Sequence, residues 1–524
     1  MSRAARVLDA ARMDRRGFVR ALSGFSLALA GIPPARVWRR PGFTTDPFTL
    51  GVASGDPAPD GVVLWTRLAP DPWRGGGMDD RSVSVGWEVA TDDAMRRIVR
   101  RGSADAKPEL GHSVHVELDG LEPDRWYWYR FHAGGAVSPV GRTRTFPEPG
   151  GSVRRLRFAS ASCQHYEQGL YTAYRHLAAE ELDLVVHLGD YIYEYEGRLD
   201  RVRMHTGREI ESLADYRNRY ALYKSDPDLI AAHAAFPWVV TWDDHEVDNN
   251  YADEISERLD PVAAFLTRRA NAYQAYYEHL PLRRASLPRG TELKLYRSVP
   301  FGGLAAFHVL DTRQYRDDQP CGDGLKPLCP EALDSARSVL GREQERWLLE
   351  RIRMPRTTWT VLAQQILMAA MPEAAIEPGQ PMRFGMDNWN GYQGARKRLL
   401  DAIAARRAGD TVVLTGDIHS SFACELPVDF ENPRSPPVAV EFVGTSISSG
   451  GDGLDQWQSW PRIEPHAPHI KFHNSRRGYL RFEVTPTEWR TDYRVVPWVV
   501  QPDAPVETRA SYVSRRGNLR LERA

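Results

Sequence analysis

Cysteine is scarce in this chain. Its 524 residues hold four, Cys163, Cys321, Cys329 and Cys424, too few for a fold stapled by disulfides. An excess of either charge is also missing: 68 Lys and Arg stand against 69 Asp and Glu, a formal net charge of −1. That balance gives no electrostatic reason to bind nucleic acid or an anionic membrane surface. No apolar run is long enough to span a bilayer, and internal repeats and low-complexity tracts are absent. The His-Glu-x-x-His helix of many zinc hydrolases is absent too. What remains is an ordinary globular composition, 42% hydrophobic and 26% charged, on a chain long enough for two domains plus a leader. Fifteen Trp and 21 Tyr supply the bulk of two cores.

The leader is residues 1–31. A paired arginine, Arg15-Arg16, precedes a short apolar run from Ala21 to Gly31 that contains the small-x-small triplet Ala28-Leu29-Ala30. This pattern predicts a twin-arginine export signal, with the twin-arginine translocon as a transient partner and the periplasm or the outside as destination. Residues 46–147 carry short β-prone runs such as Val62–Arg67, Val83–Val89 and Trp126–Phe131, punctuated by Gly, Pro and Asp, which predict a small β-sandwich. Pro147–Gly151 reads as a linker. From 153 to 500, apolar strands alternate with helical segments (261–278, 335–352 and 395–406), the pattern of a layered α/β domain. The Arg- and Ser-rich end, 501–524, reads as a loosely attached tail.

Chemistry-bearing residues fall just past the carboxyl ends of four predicted strands. They are Cys163 after Leu156–Ala159, Asp190 and Tyr193 after Leu182–Leu188, Asp243, Asp244 and His245 after Trp238–Thr241, and Asp417 and His419 after Thr411–Thr415. In open α/β sheets this edge is where sites form. Singly, each has an ordinary explanation: a capping Asp, a buried Cys or His, a packed Tyr. Four such strand ends together are the substance of a metal site. Carboxylates suit hard cations, whereas thiolate, phenolate and imidazole suit a transition metal, iron(III) better than zinc. A carboxylate, Asp190, would then bridge two kinds of metal.

The runs Phe48–Pro57, Ala161-Ser162-Cys163-Gln164, Gly189–Glu194, Trp242–Glu246, Gly416–His419 and Gln319–Gly324 resemble, in order, the motifs of the PhoD-like (D-type) alkaline phosphatases. The resemblance implies a multi-domain α+β chain: a β-sandwich followed by a four-layer αββα, calcineurin-like metallophosphoesterase domain. It implies one Fe³⁺ held by Cys163, Asp190, Tyr193 and His419, and one or two Ca²⁺ held by Asp190, Asp244 and Asp417. It places His245 near the leaving group and makes the family's secreted habit agree with the leader. Asp243 and Arg313 are candidates for contact with the substrate phosphate. Cys321 and Cys329, eight apart in a Gly- and Pro-rich loop, are candidates for a disulfide.

The expected activity is hydrolysis of small phosphate mono- or diesters by a metal-activated hydroxide, on a monomeric protein with no stable nucleic-acid or membrane partner. Ser420 lacks the Gly-x-Ser-x-Gly elbow of serine hydrolases. Other readings of the same residues are a phosphodiesterase acting on phospholipids or nucleic acids, and a non-catalytic secreted binding protein with structural metals. Trp389, Tyr392 and the arginines of Ile470–Tyr479 are further cleft candidates.

Overall fold

The computed structural model describes residues 42–373, 379–406 and 409–524; the export signal expected over residues 1–31 lies outside the described residues. The N-terminal part contributes β1 (Val52–Gly55), β2 (Val62–Arg67), β3 (Val83–Ala90), β4 (Ile98–Ala106), β5 (Ser113–Leu118), β6 (Trp126–Ala133), β7 (Ala136–Val137) and β8 (Gly141–Arg144). Strands β3, β4, β6, β7 and β8 form one antiparallel sheet. Its inward side chains, Val85, Val89, Tyr129 and Phe131, pack on Val52, Leu64 and Val116 from β1, β2 and β5. This is a sandwich, but not a separate one. β1 pairs in parallel with β11 of the following domain, Ser54 opposite Pro237, so one face of the sandwich continues the catalytic sheet.

The catalytic part adds β9 (Leu156–Ala161), β10 (Leu184–Leu188), β11 (Pro237–Thr241), β12 (Arg297–Phe301), β13 (Ala305–Val309), β14 (Leu325–Lys326), β15 (Trp359–Ala363), β16 (Phe384–Gly385), β17 (Asp410–Thr415), β18 (Ser421–Pro427), β19 (Pro437–Val443), β20 (Ile470–Asn474), β21 (Arg477–Val484), β22 (Glu488–Val496), β23 (Glu507–Arg515) and β24 (Asn518–Arg523). One ten-stranded sheet runs β24-β23-β22-β21-β9-β10-β11-β1-β2-β5, and a seven-stranded sheet runs β12-β13-β15-β17-β19-β18-β20. The central strands of both, β9-β10-β11 and β13-β15-β17-β19, are parallel and almost wholly buried, as strands covered on two faces must be.

The sheets meet face to face through Phe158, Val186, Phe307, Val361, Leu414 and Phe442. Phe158 pins them: it stacks on Phe482 at 4.4 Å and meets Phe307 edge-on at 5.1 Å. Helices cover the outer faces. Leu213–Lys224 and Val262–His279 bury Tyr216, Tyr220, Phe265 and Tyr273 on one side. Gly341–Arg353 and Gln393–Ala404 bury Leu348, Ile352, Leu399 and Ile403 on the other. The result is a four-layer αββα arrangement.

Two expectations are corrected. The C-terminal residues are not a loose tail: β23 and β24 complete the ten-stranded sheet, with Tyr512 and Ala510 in the inter-sheet core and Leu519 and Leu521 packed against it. The alternation of Leu with polar residues in Asn518–Arg523 is that of an edge strand with one wet face. The helix expected over 335–352 begins only at Gly341, whose positive φ of 67° marks the turn into it.

Candidate metal centre

The loops after β9, β10 and β11 of one sheet and β17 of the other converge, and the first two are joined through their backbones. Cys163 N–H donates to the Gly189 carbonyl and Gln164 N–H to the Asp190 carbonyl, each at 3.1 Å. Cys163, Asp190, Asp417 and His419 all hold left-handed backbone, with φ between 53° and 60°. For a residue with a Cβ this conformation is strained, and such strain collects at functional sites. Gly189 makes the close approach possible: a Cβ there would stand 2.5 Å from the Asp243 backbone nitrogen.

The side chains gather in three overlapping groups: Cys163, Asp190 and His419; Asp190, Asp244 and His245; and Asp243, Asp244 and Asp417. Within each, one donor atom per residue lies within 4.8 Å of the others. Tyr193 joins the first. Its hydroxyl donates to Asp190 Oδ2 at 2.8 Å and lies 3.1 Å from His419 Nε2. Its ring is held between His165 and His245, with centroids at 4.3 and 4.1 Å.

Charge is heavily unbalanced here. Three buried carboxylates, Asp190, Asp243 and Asp244, stand with the half-buried Asp417, and one buried guanidinium, Arg313, faces the last three. Arg313 donates through Nε to Asp243 at 2.5 Å and through Nη1 alone to both oxygens of Asp387 at 2.7 and 2.9 Å, and lies 3.6 Å from Asp417 and 3.7 Å from Asp244. It is fully buried, so it holds the carboxylates in place instead of reaching into solvent for a phosphate.

Burial pushes the Asp190, Asp243 and Asp417 carboxyls well above the usual range. Burial would raise Asp244 as well, but the charges of Arg313 and His245 hold it below. Burial also raises the Cys163 thiol and the Tyr193 phenol, reinforced by the charge on Asp190, and lowers His419 to about 3. His245 runs against burial: Glu194, Asp244 and Asp190 raise it above its ordinary value. Oδ1 of Asp190, Oδ2 of Asp243 and Oδ1 of Asp244 are buried without a hydrogen-bond partner. Unpartnered carboxylate oxygens converging in a negatively charged pocket fit bound cations, and the thiol, phenol and imidazole beside them fit a softer metal than the all-carboxylate group does.

Several supporting residues were not singled out from sequence. Glu246 accepts the backbone N–H groups of Asp190, Tyr191 and Asp243, fixing two strand-end loops at once. Glu194 accepts from His245 Nδ1 at 2.8 Å. Asp387 anchors Arg313, and Ser449 touches Tyr193. Both glutamates lie inside the quoted motifs, whereas Asp387 and Ser449 carry no local signal. Trp389 and Tyr392 are buried packing residues, and Ser420 is buried with its hydroxyl on Ser475. Arg477 is turned inward, onto backbone carbonyls that include that of His419. Cys321 and Cys329 form a disulfide.

An αββα fold with clustered metal donors at the strand ends defines a metallophosphoesterase-type hydrolase. Comparison with known proteins agrees. The PhoD-like phosphatase family matches residues 158–493, and its N-terminal domain matches residues 34–147. The chain is 52% identical to alkaline phosphatase D of Bacillus subtilis (strain 168) over 521 residues, covering 97% of this chain and 89% of that one. It superposes on a solved PhoD structure with a TM-score of 0.90 at 53% identity, covering 92% of this chain and 93% of the other. The chain belongs to the PhoD-like phosphatase family and is a phosphoric ester hydrolase.

Proposed function

We propose that this protein is an exported alkaline phosphatase that hydrolyses phosphate mono- and diesters at a mixed iron–calcium centre. The observation that carries the reading is a chain of three overlapping donor groups in one site: Asp190 links Cys163 and His419 to Asp244 and His245, and Asp244 links these to Asp243 and Asp417. Cys163, Tyr193, His419 and Asp190 would hold Fe³⁺; Asp190, Asp244 and Asp417, with Asp243 beside them, would hold Ca²⁺. When bound, the metals supply positive charge for the phosphoryl oxygens and acidity for the attacking water.

The chain's own residues do the rest. Arg313 spaces Asp243, Asp244 and Asp417 around the acidic half. Glu194 holds His245 by Nδ1, which leaves Nε2 for the departing oxygen; with its affinity for protons raised by the neighbouring carboxylates, His245 carries the proton that the leaving alkoxide needs. No serine or cysteine nucleophile is required, since Ser420 is committed to Ser475.

The paired arginines Arg15-Arg16 and the disulfide support export to an oxidising compartment. Among the described residues no helix is long and apolar enough to cross a membrane. The test compares p-nitrophenyl phosphate with its bis-ester, before and after chelation of calcium. Turnover of one or both that disappears on chelation and returns with calcium is expected. Turnover indifferent to chelation would contradict the assignment.

A further inference from the structure

Ser449 lies on the loop between β19 and β20 and is fully buried. Its hydroxyl stands 2.7 Å from the Tyr193 hydroxyl and 2.7 Å from the Cys163 carbonyl, and accepts the His165 N–H at 3.1 Å. One short side chain therefore meets both residues that bring an anionic oxygen or sulfur donor from outside the carboxylate set.

Its own position is fixed from behind. Ser446 Oγ donates to the Ser449 carbonyl at 2.7 Å. The buried Arg477 guanidinium donates to the carbonyls of Gly450, Gly451 and His419, at 3.2, 2.7 and 2.6 Å. A single clamp thus ties the Ser449 loop to the backbone of a third donor, His419.

The direction of the hydrogen bond follows from proton count. A protonated Tyr193 spends its hydrogen on Asp190 Oδ2, so its oxygen can only accept from Ser449. A phenolate oxygen is a charged acceptor and outcompetes the neutral Cys163 carbonyl for the one Ser449 proton.

We infer that Ser449 is a positioning residue for the iron-binding half: its hydroxyl donates to the Tyr193 oxygen and, with Arg477 behind it, sets Tyr193, Cys163 and His419 at their mutual spacing. The inference rests on the iron reading above and goes beyond it by naming what orients the donors. Partners of this kind, one bond removed from a metal, change affinity by about 10–100-fold when lost.

The test uses full-length S449A and S449T, each loaded with iron and calcium. Their visible spectra, iron titrations, calcium titrations and melting curves are compared with those of the wild type. Donation to a phenolate stabilises its donor electrons, so its loss moves the phenolate-to-iron absorption to longer wavelength. S449A is expected to show that shift together with iron affinity weakened by ~10–100-fold and calcium affinity unchanged. S449T, which keeps the hydroxyl, is expected to restore the wild-type band. Should S449A not fold, S449G removes the same hydroxyl and leaves room in its place. A folded S449A with the wild-type band and wild-type iron affinity overturns the assignment of Ser449. A wild-type protein that lacks the band overturns the iron reading beneath it.

Discussion

The two halves of the site hold their charge in different ways. Around Asp243, Asp244 and Asp417 a guanidinium is already in place: Arg313 touches or faces all three and is itself anchored by Asp387. Around Cys163, Tyr193 and His419 no ion-paired lysine or arginine reaches the donors among the described residues. Arg477 nearby spends its donors on carbonyls and the Ser446 hydroxyl, and the donor loops themselves are strained. The acidic half is therefore partly neutralised by the chain itself, whereas burial keeps the Cys163 thiol and the Tyr193 phenol of the other half protonated in the metal-free protein. Asp190 links the two through Asp244, and substitutions can break that link or isolate one side of it.

The largest effect is expected from D190A, which removes the carboxylate proposed to serve both metals. Turnover of a phosphomonoester should fall by ~10³-fold or more, with loss of both metals by elemental analysis. R313M should come next. It strands Asp243 as a buried, unpaired charge, while Asp387 keeps Arg316 and Gln319, and denaturant unfolding should show a loss of about 3–5 kcal/mol together with altered calcium dependence. C163S should sharpen the contrast by acting on one side alone: iron occupancy should fall by ~10²-fold while calcium titration stays near wild type.

A smaller effect is expected at the rim. The loop closed by Cys321–Cys329 reaches the acidic half through Gln319, which donates to Asp387 at 2.6 Å. Replacing both cysteines by serine should cost about 2.5 kcal/mol of stability and weaken calcium before iron.

The response to pH gives a further test on metal-free protein. Asp190, Asp243 and Asp417 sit above their unfolded values, so they stabilise the fold fully only below about pH 4 and lose that contribution as pH rises. His245, also raised, has the same sign, fully present below about 6.5 and lost above its folded value. Asp244 opposes them. Buried histidines such as His187, His419 and His473, lowered to about 3, oppose this below about pH 6.5, so the melting temperature of metal-free protein should drop between about pH 6.5 and 8, and the gap to metal-loaded protein should widen there.

Much of the site was legible because its donors sit where local pattern is strongest, at the ends of buried parallel strands. The four clusters Cys163, Asp190–Tyr193, Asp243–His245 and Asp417–His419 each follow a strand that hydrophobicity alone marks, β9, β10, β11 and β17. What was hidden depends on long reach. Ser449 meets Tyr193 across 256 residues and Asp387 meets Arg313 across 74, distances at which no periodicity operates. Arg313 was legible as a site residue, but its ion pairs with Asp243 and Asp387 were not, because they span 70 and 74 residues. The continuity of β1 with β11 was equally hidden, since pairing between two apparent domains leaves no mark on either sequence. The edge strand β24 was misread because its arginines outweighed a two-residue alternation of leucines.

The most direct test of the two-half account is elemental analysis with a visible spectrum on the purified protein. Iron and calcium together, with a phenolate- or thiolate-to-iron absorption that survives removal of calcium, is the predicted result. Zinc alone, or calcium with no iron and no visible band in an active enzyme, would contradict it.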